Sequence, residues 1–223
     1  LKPLNLAKTY YSFDMNNAHF VFMDAYIDYK PGSPQYNFIE NDLKTSYTNP
    51  KIDWTFVVES PPVYTSTSKH PGNSTIRDIY HPLFDNYGVD LVFTSDNHNY
   101  QRTFPLKYNN NNNNNNGDDS SDPIIANKDP NNSNSNNDKK NGVIYLITGT
   151  AGRSHYAIRQ QAPFVAKEDD KHFGFLNIDI NGKILRGTFY ANENANKPNY
   201  HFISNAAAAS TDNNILDYFT ISK

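Results

Sequence analysis

Residues 90–102 contain an apolar strand that runs directly into a polar turn whose side chains could do chemistry. The turn and the residues after it hold Asp96, His98, Tyr100 and Arg102. Metal-binding and catalytic side chains often lie on loops that a rigid sheet positions. A single histidine is more often a structural residue than a ligand, so this pattern alone predicts a candidate metal turn and leaves its use open.

Two further apolar strands end in polar or small residues. Strand 54–58 is followed by Glu59 and Ser60, and a later strand ends in the small-residue turn Gly149–Gly152. Ligands of open α/β sheets bind beyond the carboxyl ends of the strands. We therefore expect the Ser60 turn to lie beside the His98 turn, and the glycine turn to allow close approach of the backbone.

An alternation of strands and helices must position these turns. Ser33 before Pro34 is typical of a helix start, with serine as N-cap and proline at the first helical position. Asn181-Gly182 between two apolar runs predicts a hairpin. Strands separated by helices indicate an α/β fold with a largely parallel sheet covered by helices. The predicted strands are 19–24, 54–58, 89–94, 143–148, 173–180, 183–190 and 215–221, and the predicted helices are 34–46 and 75–87.

Composition limits the function classes that need consideration. The 223 residues are 37% hydrophobic and 14% aromatic, which is enough for one sizeable core, so we predict a single domain over residues 1–223. The formal net charge of −3 provides no basic field for nucleic acid. No apolar run approaches the ~18 residues of a membrane span. Because the chain has no cysteine, a bound metal would depend on His, Asp, Glu, Asn and Tyr.

Residues 109–141 differ from the rest of the chain. Eight consecutive asparagines open this stretch, and almost all of the remainder is polar. Such a segment cannot bury enough apolar surface to offset its ordering entropy, so we predict a disordered insertion between two strands. The chain begins without a methionine or an apolar signal core, which favours a fragment or a processed product.

Several short motifs, taken in order, resemble the carboxyl-terminal half of the purple acid phosphatases. These are Tyr10–Asp14, Ala18–Phe20, Gly32–Tyr36, Trp54 with Pro62 and Tyr64, residues 89–102, Gly149–Gly152 and Phe173–Leu176. The resemblance implies part of a four-layer α/β/β/α metallophosphoesterase sandwich with mixed sheets. It also implies a dinuclear metal centre, iron with zinc, manganese or a second iron, that hydrolyses phosphate monoesters.

The resemblance places three metal-ligand positions in this part of the fold. They are Ser60, Asp96 and His98, and the family has histidine at all three. His98 retains the expected imidazole, Asp96 offers a shorter carboxylate, and the neutral hydroxyl of Ser60 is a poor ligand. No Gly-Asp pair stands ahead of residue 60, and the family's earlier Gly-Asp-x-Gly, Gly-Asp-x-x-Tyr and Gly-Asn-His motifs do not occur in the chain. We therefore predict degenerate metal motifs and an incomplete or absent metal centre in this chain.

Three further positions are assigned by the resemblance. His70 falls where plant members place a substrate-facing histidine that acts as a general acid, although Pro71 and Gly72 depart from the pattern. Tyr100 and Arg102 match a Tyr-x-Arg that follows the ligand turn and are predicted to bind substrate. A structural role is the alternative for both, with Arg102 paired under the turn and the Tyr100 hydroxyl satisfied in the core.

Three functions remain open at this point. The chain is a segment of a phosphate monoester hydrolase, or a non-catalytic pseudophosphatase with a binding or structural role, or an Asn-rich interaction protein. The resemblance implies a secreted or vesicular location. The sequons that start at Asn73 and Asn131 add little, because an asparagine-rich chain produces them by chance. We expect no nucleic-acid or membrane partner, and the oligomeric state stays open.

Overall fold

The structure is a computed structural model that describes residues 9–109, 122–126, 142–192 and 214–223. Within the predicted insertion, Ile124–Ile125 form a short strand that pairs antiparallel with Leu106–Lys107. The rest of the insertion, apart from Asn109 and residues 122–126, and His201 lie outside the described residues. The described elements, in chain order, are β1 (Tyr11–Met15), β2 (Ala18–Phe22), α1 (Pro34–Thr48), β3 (Trp54–Val58), α2 (Ser74–Asn86), β4 (Leu91–Thr94), β5 (Tyr100–Thr103), β6 (Leu106–Lys107), β7 (Ile124–Ile125), β8 (Ile144–Thr148), β9 (Val165–Asp169), β10 (Phe173–Asn181), β11 (Ile184–Asn192) and β12 (Ile215–Ser222).

A seven-stranded mixed sheet is the centre of the fold. Its strand order is β1-β2-β3-β4-β8-β5-β9. The four strands β2, β3, β4 and β8 are parallel neighbours, as the alternation of strands and helices predicted. Strands β1, β5 and β9 pair antiparallel and complete the sheet on either side. The carboxyl ends of β3, β4 and β8 therefore meet at one edge.

The two helices begin at the N-caps that their sequences specify. Ser33 accepts a hydrogen bond from the backbone N–H of Tyr36, and Pro34 follows at the first helical position of α1. Asn73 caps α2 in the same way through the N–H of Ile76. Helix α2 also contains Pro82, which cannot donate a backbone hydrogen bond. Both predicted helices are confirmed, with ends shifted by one or two residues.

Two hydrophobic cores lie on opposite faces of the central sheet. Side chains alternate along β3, so Val57 packs toward the helices while Trp54 and Phe56 pack toward a second sheet. This second sheet has three antiparallel strands in the order β10-β11-β12, and it buries Phe189 and Phe219 against the central sheet. Helices, sheet and sheet thus form three layers, which confirms the predicted mixed-sheet fold class.

The predicted hairpin at Asn181-Gly182 is confirmed. Strands β10 and β11 pair in antiparallel register around it, with Asn181 opposite Ile184. Gly182 has φ +56, a left-handed conformation that glycine adopts without steric cost. Its carbonyl accepts a hydrogen bond from the indole N–H of Trp54, 2.8 Å away. This bond fixes the end of the second sheet to the start of β3.

Candidate functional site

The turns that follow β3 and β4 are neighbours, as predicted. Their strands pair in parallel, with Val58 opposite Phe93. The Ser95 hydroxyl donates to the Ser60 hydroxyl at 3.4 Å. The edge is therefore formed as the sequence indicated, and Ser60 lies next to the turn that carries Asp96.

Residues 95–99 form a tight turn that is clamped from below by Asn97. Asp96 has φ +75, which is uncommon for a residue with a side chain. The fully buried Asn97 carboxamide accepts from the His70 backbone N–H at 3.1 Å and donates to the His70 carbonyl at 2.9 Å. It also donates to the Thr65 hydroxyl at 3.1 Å. Asn97 thereby joins the turn at residues 95–99 to the loop that carries His70.

The turn Gly149–Gly152 after β8 packs directly against the turn at residues 95–99. A Cβ atom placed on Gly149 would lie 2.1 Å from the Asn97 carbonyl oxygen, so only glycine fits this position without movement of the backbone. The Gly149 N–H also donates to the Asn99 carbonyl at 3.2 Å. The predicted close backbone approach is thus confirmed, and it serves the packing of two protein turns.

The His98 imidazole is held by Ser154 and Tyr156. Its Nδ1–H donates to the Ser154 carbonyl at 3.0 Å. Its ring stacks on the Tyr156 ring with centroids 4.0 Å apart and an interplanar angle of 19°. The Lys69 ammonium lies 4.4 Å from the centroid of the same Tyr156 ring and donates to its hydroxyl at 3.3 Å. Lysine, tyrosine and histidine side chains thus form one stacked group at the surface.

His70 lies against the same group. Its ring centroid is 5.5 Å from that of Tyr156. The predicted metal ligand His98 and the predicted general acid His70 therefore contact one tyrosine, although they are separated by 28 positions in the sequence. Tyr156 was not recognised from the sequence, because nothing in its local pattern distinguishes it from the other tyrosines. The structure brings His70 and His98 together but does not test their predicted roles.

Tyr100 and Arg102 face away from the turn, into the core between the two sheets. The Arg102 guanidinium donates from Nε and Nη2 to the two carboxylate oxygens of Asp217, at 2.6 and 2.9 Å. The Tyr100 hydroxyl donates to the same carboxylate at 2.7 Å. Burial alone would lower the pKa of Arg102, but the Asp217 carboxylate holds it above its ordinary value. All three side chains are buried, so the geometry favours the structural alternative, and their predicted substrate contacts stay a prediction.

Gln101 points to the opposite face of β5 and orders the loop below the turn. Its side-chain oxygen accepts from the Ser66 backbone N–H at 2.7 Å, and its side-chain nitrogen donates to the side-chain oxygen Oδ1 of Asn99 at 3.0 Å. A carboxylate could not make the donor contact to Asn99, so glutamine fits the asparagine-rich turn of this chain.

Glu59 is a buried carboxyl group that the sequence did not single out. Neither of its carboxyl oxygens, nor the hydroxyl of the buried Tyr145, makes a hydrogen bond within the described part of the chain. Burial raises the pKa of Glu59 to about 8, so the group is largely neutral at pH 7. The sequence feature that could have identified Glu59 is its position directly after a buried strand.

Most of the remaining histidines that the structure describes have polar partners. His19 donates to Asp14 at 2.6 Å and to Asp42 at 2.9 Å. Burial lowers its pKa, but the two carboxylates outweigh burial and the net pKa is raised. His81 donates from Nε2 to the Leu106 carbonyl at 3.4 Å and accepts from the Tyr64 hydroxyl at 2.8 Å.

His155 and His172 complete this group. His172 contacts the Asp169 carboxylate at 3.0 Å. The ring of His155 packs on Phe173 with centroids 4.3 Å apart, while its buried Nε2 makes no hydrogen bond to the residues that the structure describes. Neither lies among the predicted ligand positions.

Comparisons with known proteins agree with this architecture. No family model matches the chain. A stretch of 101 residues is 35% identical to the probable purple acid phosphatase 20 of Arabidopsis thaliana and covers 42% of this chain and 22% of that protein. A stretch of 109 residues is 33% identical to purple acid phosphatase 21 of the same plant, covering 48% and 24%. This chain is similar to the carboxyl-terminal portion of purple acid phosphatases.

Solved structures show the same fold. The purple acid phosphatase PPD1 from yellow lupin (Lupinus luteus) seeds superposes with a TM-score of 0.68 at 22% identity, over 96% of this chain and 32% of that one. GAP50, described as the anchor in the inner membrane complex of Plasmodium, superposes with a TM-score of 0.52 at 14% identity. The matches to the curated phosphatases span about a quarter of their length or less.

The described residues do not fit the dinuclear centre that purple acid phosphatase similarity implies. They contain no group of three His, Asp or Glu side chains that could hold a metal ion. At the three ligand positions the donors are a serine hydroxyl, a carboxylate and one imidazole. The hydroxyl of Ser60 instead accepts a hydrogen bond from Ser95. No helix among the described residues is long and apolar enough to cross a membrane.

Proposed function

We propose that this part of the protein is a non-catalytic module with a purple acid phosphatase-like fold, used for binding or for structure. Hydrolysis of phosphate monoesters by this family depends on two metal ions that activate water and bind phosphoryl oxygens. The donor set at the candidate turn is the observation that carries the proposal. Ser60 and Asp96 stand where purple acid phosphatases have two histidines, and the resemblance assigns both positions to the second metal ion of the pair.

The neighbouring contacts support this proposal. The Asn97 clamp, the Gly149 packing and the Tyr156 stack hold the turn by contacts within the protein. GAP50 has the same fold and is described as an anchor, so the fold is not restricted to proteins described as phosphatases. A folded edge with an incomplete ligand set agrees with a binding or structural role.

The direct test is hydrolysis and metal content of the 223-residue chain. We expect no release of p-nitrophenol from p-nitrophenyl phosphate above background after incubation with iron and zinc or manganese. Mass spectrometry of the dialysed protein should find less than one tightly bound metal ion per chain. Turnover that depends on added metal and disappears in His98→Ala, but persists in a His172→Ala control, would show that the module is catalytic.

A second function is favoured by one specific contact. The Nδ1–H of His98 donates a hydrogen bond to the Ser154 carbonyl. The lone pair of Nε2 therefore remains available to bind a metal ion. A phosphatase whose other ligands lie outside these 223 residues would keep such a histidine. Upstream coding sequence with Gly-Asp-x-Gly, Gly-Asp-x-x-Tyr and Gly-Asn-His motifs, and phosphatase activity of that longer product, would establish this alternative.

The remaining proposals concern organisation and location. Residues 1–223 are proposed to form one partial metallophosphoesterase domain with a passive insertion at 109–141. Ile124–Ile125 pair with β6, and Ile125 packs against the core, so the deletion that tests this proposal removes residues 127–141 alone. It should leave the melting temperature and partner binding unchanged, whereas a lost partner would favour the Asn-rich interaction protein. We also propose a secreted or vesicular location, which cell fractionation with a tagged gene would test.

A further inference from the structure

His19 lies between two carboxylates that come from different elements of the fold. The histidine belongs to β2, and its side chain is only 7% exposed. Its Nδ1 atom is 2.6 Å from the Asp14 carboxylate of β1, and its Nε2 atom is 2.9 Å from the Asp42 carboxylate of α1. One imidazole therefore joins the first strand, the second strand and the first helix.

This geometry requires a proton on each ring nitrogen of His19. An ionised carboxylate accepts hydrogen bonds and cannot donate one, whereas a neutral imidazole has one N–H and one acceptor nitrogen. A neutral ring would satisfy one carboxylate and turn a lone pair toward the other at hydrogen-bond distance. Hydrogen bonds to ionised groups are also roughly twice as strong as neutral ones. The arrangement is therefore complete only while His19 is an imidazolium.

The charged groups around His19 favour this imidazolium. Burial lowers the pKa of the ring, but the hydrogen bonds and charges of Asp42 and Asp14 outweigh burial and raise the pKa above 6.5. On β3 the residue opposite His19 is Thr55, whose hydroxyl lies 3.5 Å from that of Ser46 on α1, and neither side chain titrates. The contact is therefore complete below pH 6.5 and is lost as the pH rises through the raised folded value.

Two polar side chains of β1 take part in the same contact. Asp14 binds the imidazole directly, and the Ser12 hydroxyl donates to the other oxygen of Asp42 at 2.9 Å. Within the described residues, β1 pairs with β2 alone. Asp42 thus holds both the strand and the imidazole, so a change at the ring reaches β1 from two directions.

We propose that His19 is a pH-dependent latch, whose imidazolium fastens β1 to α1 and whose deprotonation loosens the strand. When the ring loses its proton, one carboxylate loses its donor and faces a lone pair, which repels it. Residues 11–15 respond, because they carry Asp14 and the Ser12 hydroxyl. The latch is closed in acid and opens as the solution becomes alkaline. This inference is independent of whether the chain hydrolyses phosphate esters.

Hydrogen exchange of the 223-residue chain, combined with an NMR titration of the histidine rings, tests the latch. The His19 ring should titrate with a midpoint above 6.5. After correction for the intrinsic exchange rate, the amides of residues 11–15 should lose about tenfold of their protection between roughly pH 5.5 and pH 9. A loss of this size is expected when one hydrogen bond to a charged group is removed.

Asp42→Asn is the decisive variant, because it allows a neutral ring to bond on both sides. The carboxamide oxygen can still accept from Ser12, while the amide nitrogen can donate to Nε2 of His19. The His19 midpoint should fall, and the tenfold change in residues 11–15 should disappear. Asp179→Asn is the matched control, since it removes a 62% exposed carboxylate from a strand of the second sheet. It should retain both the midpoint and the change in protection.

Asp14→Asn serves as a second variant if circular dichroism shows that Asp42→Asn is misfolded. Asp14 is 53% exposed on an outer strand, so its replacement disturbs little packing, and it should also lower the His19 midpoint. A midpoint at or below 6.5 in the unmodified chain, or one that the folded variant leaves unchanged, would overturn the proposal. So would protection of residues 11–15 that responds to pH equally in the unmodified and Asp42→Asn chains.

Discussion

Replacement of Asp217 by asparagine should destabilise the fold strongly, because this carboxylate joins the two sheets. It accepts two hydrogen bonds from Arg102 and one from the Tyr100 hydroxyl, at 2.6, 2.9 and 2.7 Å. Strand β5 of the central sheet supplies both donors, and β12 of the second sheet supplies the acceptor. Asparagine has nearly the same shape, so the change removes the charge and one acceptor oxygen while leaving the packing almost intact.

The magnitude follows from the burial of all three groups. Removal of one partner from a buried ion pair costs about 3–5 kcal/mol, because the remaining charge is left without compensation. The asparagine carbonyl can still accept from Arg102, so we expect a loss near the low end, about 3 kcal/mol. For a domain of this size each kcal/mol changes the melting temperature by about 2–4 °C, so Asp217→Asn should melt roughly 6–12 °C lower.

Urea unfolding followed by tyrosine and tryptophan fluorescence provides the assay. Asp179→Asn is the matched control, because Asp179 and Arg186 are 3.8 Å apart on the surface of the second sheet and 62% and 42% exposed. An exposed pair of this kind contributes less than about 0.5 kcal/mol. If Asp217→Asn costs no more than this control, or lowers only the binding of a phosphate ester, the structural role assigned to Tyr100 and Arg102 is refuted.

Three further predictions concern single side chains near the sheet. Burial raises the pKa of Glu59 to about 8 from 4.5, so the folded state holds a proton that the unfolded state releases, and stability should fall as pH rises from 4.5 to 8. Glu59→Gln should remove this pH dependence and raise the free energy of unfolding by about 3 kcal/mol at pH 7. Equal free energies of unfolding of the unmodified chain at pH 5 and pH 8, measured by urea titration, would contradict this prediction. Burial lowers the pKa of His81 to about 3 from 6.5, so its stabilising contribution is complete above pH 6.5 and is lost as pH falls toward 3. His81→Gln should remove this loss, which amounts to about 2 kcal/mol of unfolding free energy at pH 5. Gly149→Ala should cost about 2 kcal/mol or more, because its Cβ would meet the Asn97 carbonyl, and an unchanged melting temperature would show that the two turns can separate.

Local sequence signals predicted the elements that are buried or capped. Strands β3, β4 and β8 are continuous apolar runs, and α1 has both an N-cap serine and a proline at its first position. Strands β1, β5, β6, β7 and β9 were not predicted. Strand β5 reads Tyr-Gln-Arg-Thr, and its polar groups are satisfied by partners such as Asp217, which is 115 positions from Arg102. No local pattern reports a partner at that distance.

The candidate site was predicted only as far as its position. Strand ends placed Ser60 beside the turn of Asp96 and His98, and the resemblance to purple acid phosphatases, which have histidine at these three positions, predicted a degenerate ligand set. The stack of His98 on Tyr156 was not predicted, because the two residues come from different loops that meet only above the folded sheet. The fixing of His70 by the Asn97 carboxamide was missed for the same reason.

The sequence by itself determined which residue types follow each strand. It therefore determined which chemistry is available where the carboxyl ends of β3, β4 and β8 meet. That follows because strand periodicity and side-chain chemistry are local properties of the chain. The tertiary structure alone decided which polar groups are buried or hydrogen-bonded within the protein. Arg102 and Tyr100 are directed to Asp217, the Glu59 carboxyl is enclosed in the core, and the apolar face of β1 is left open. These outcomes depend on how the layers stack, because burial and pairing are set by residues distant in the chain.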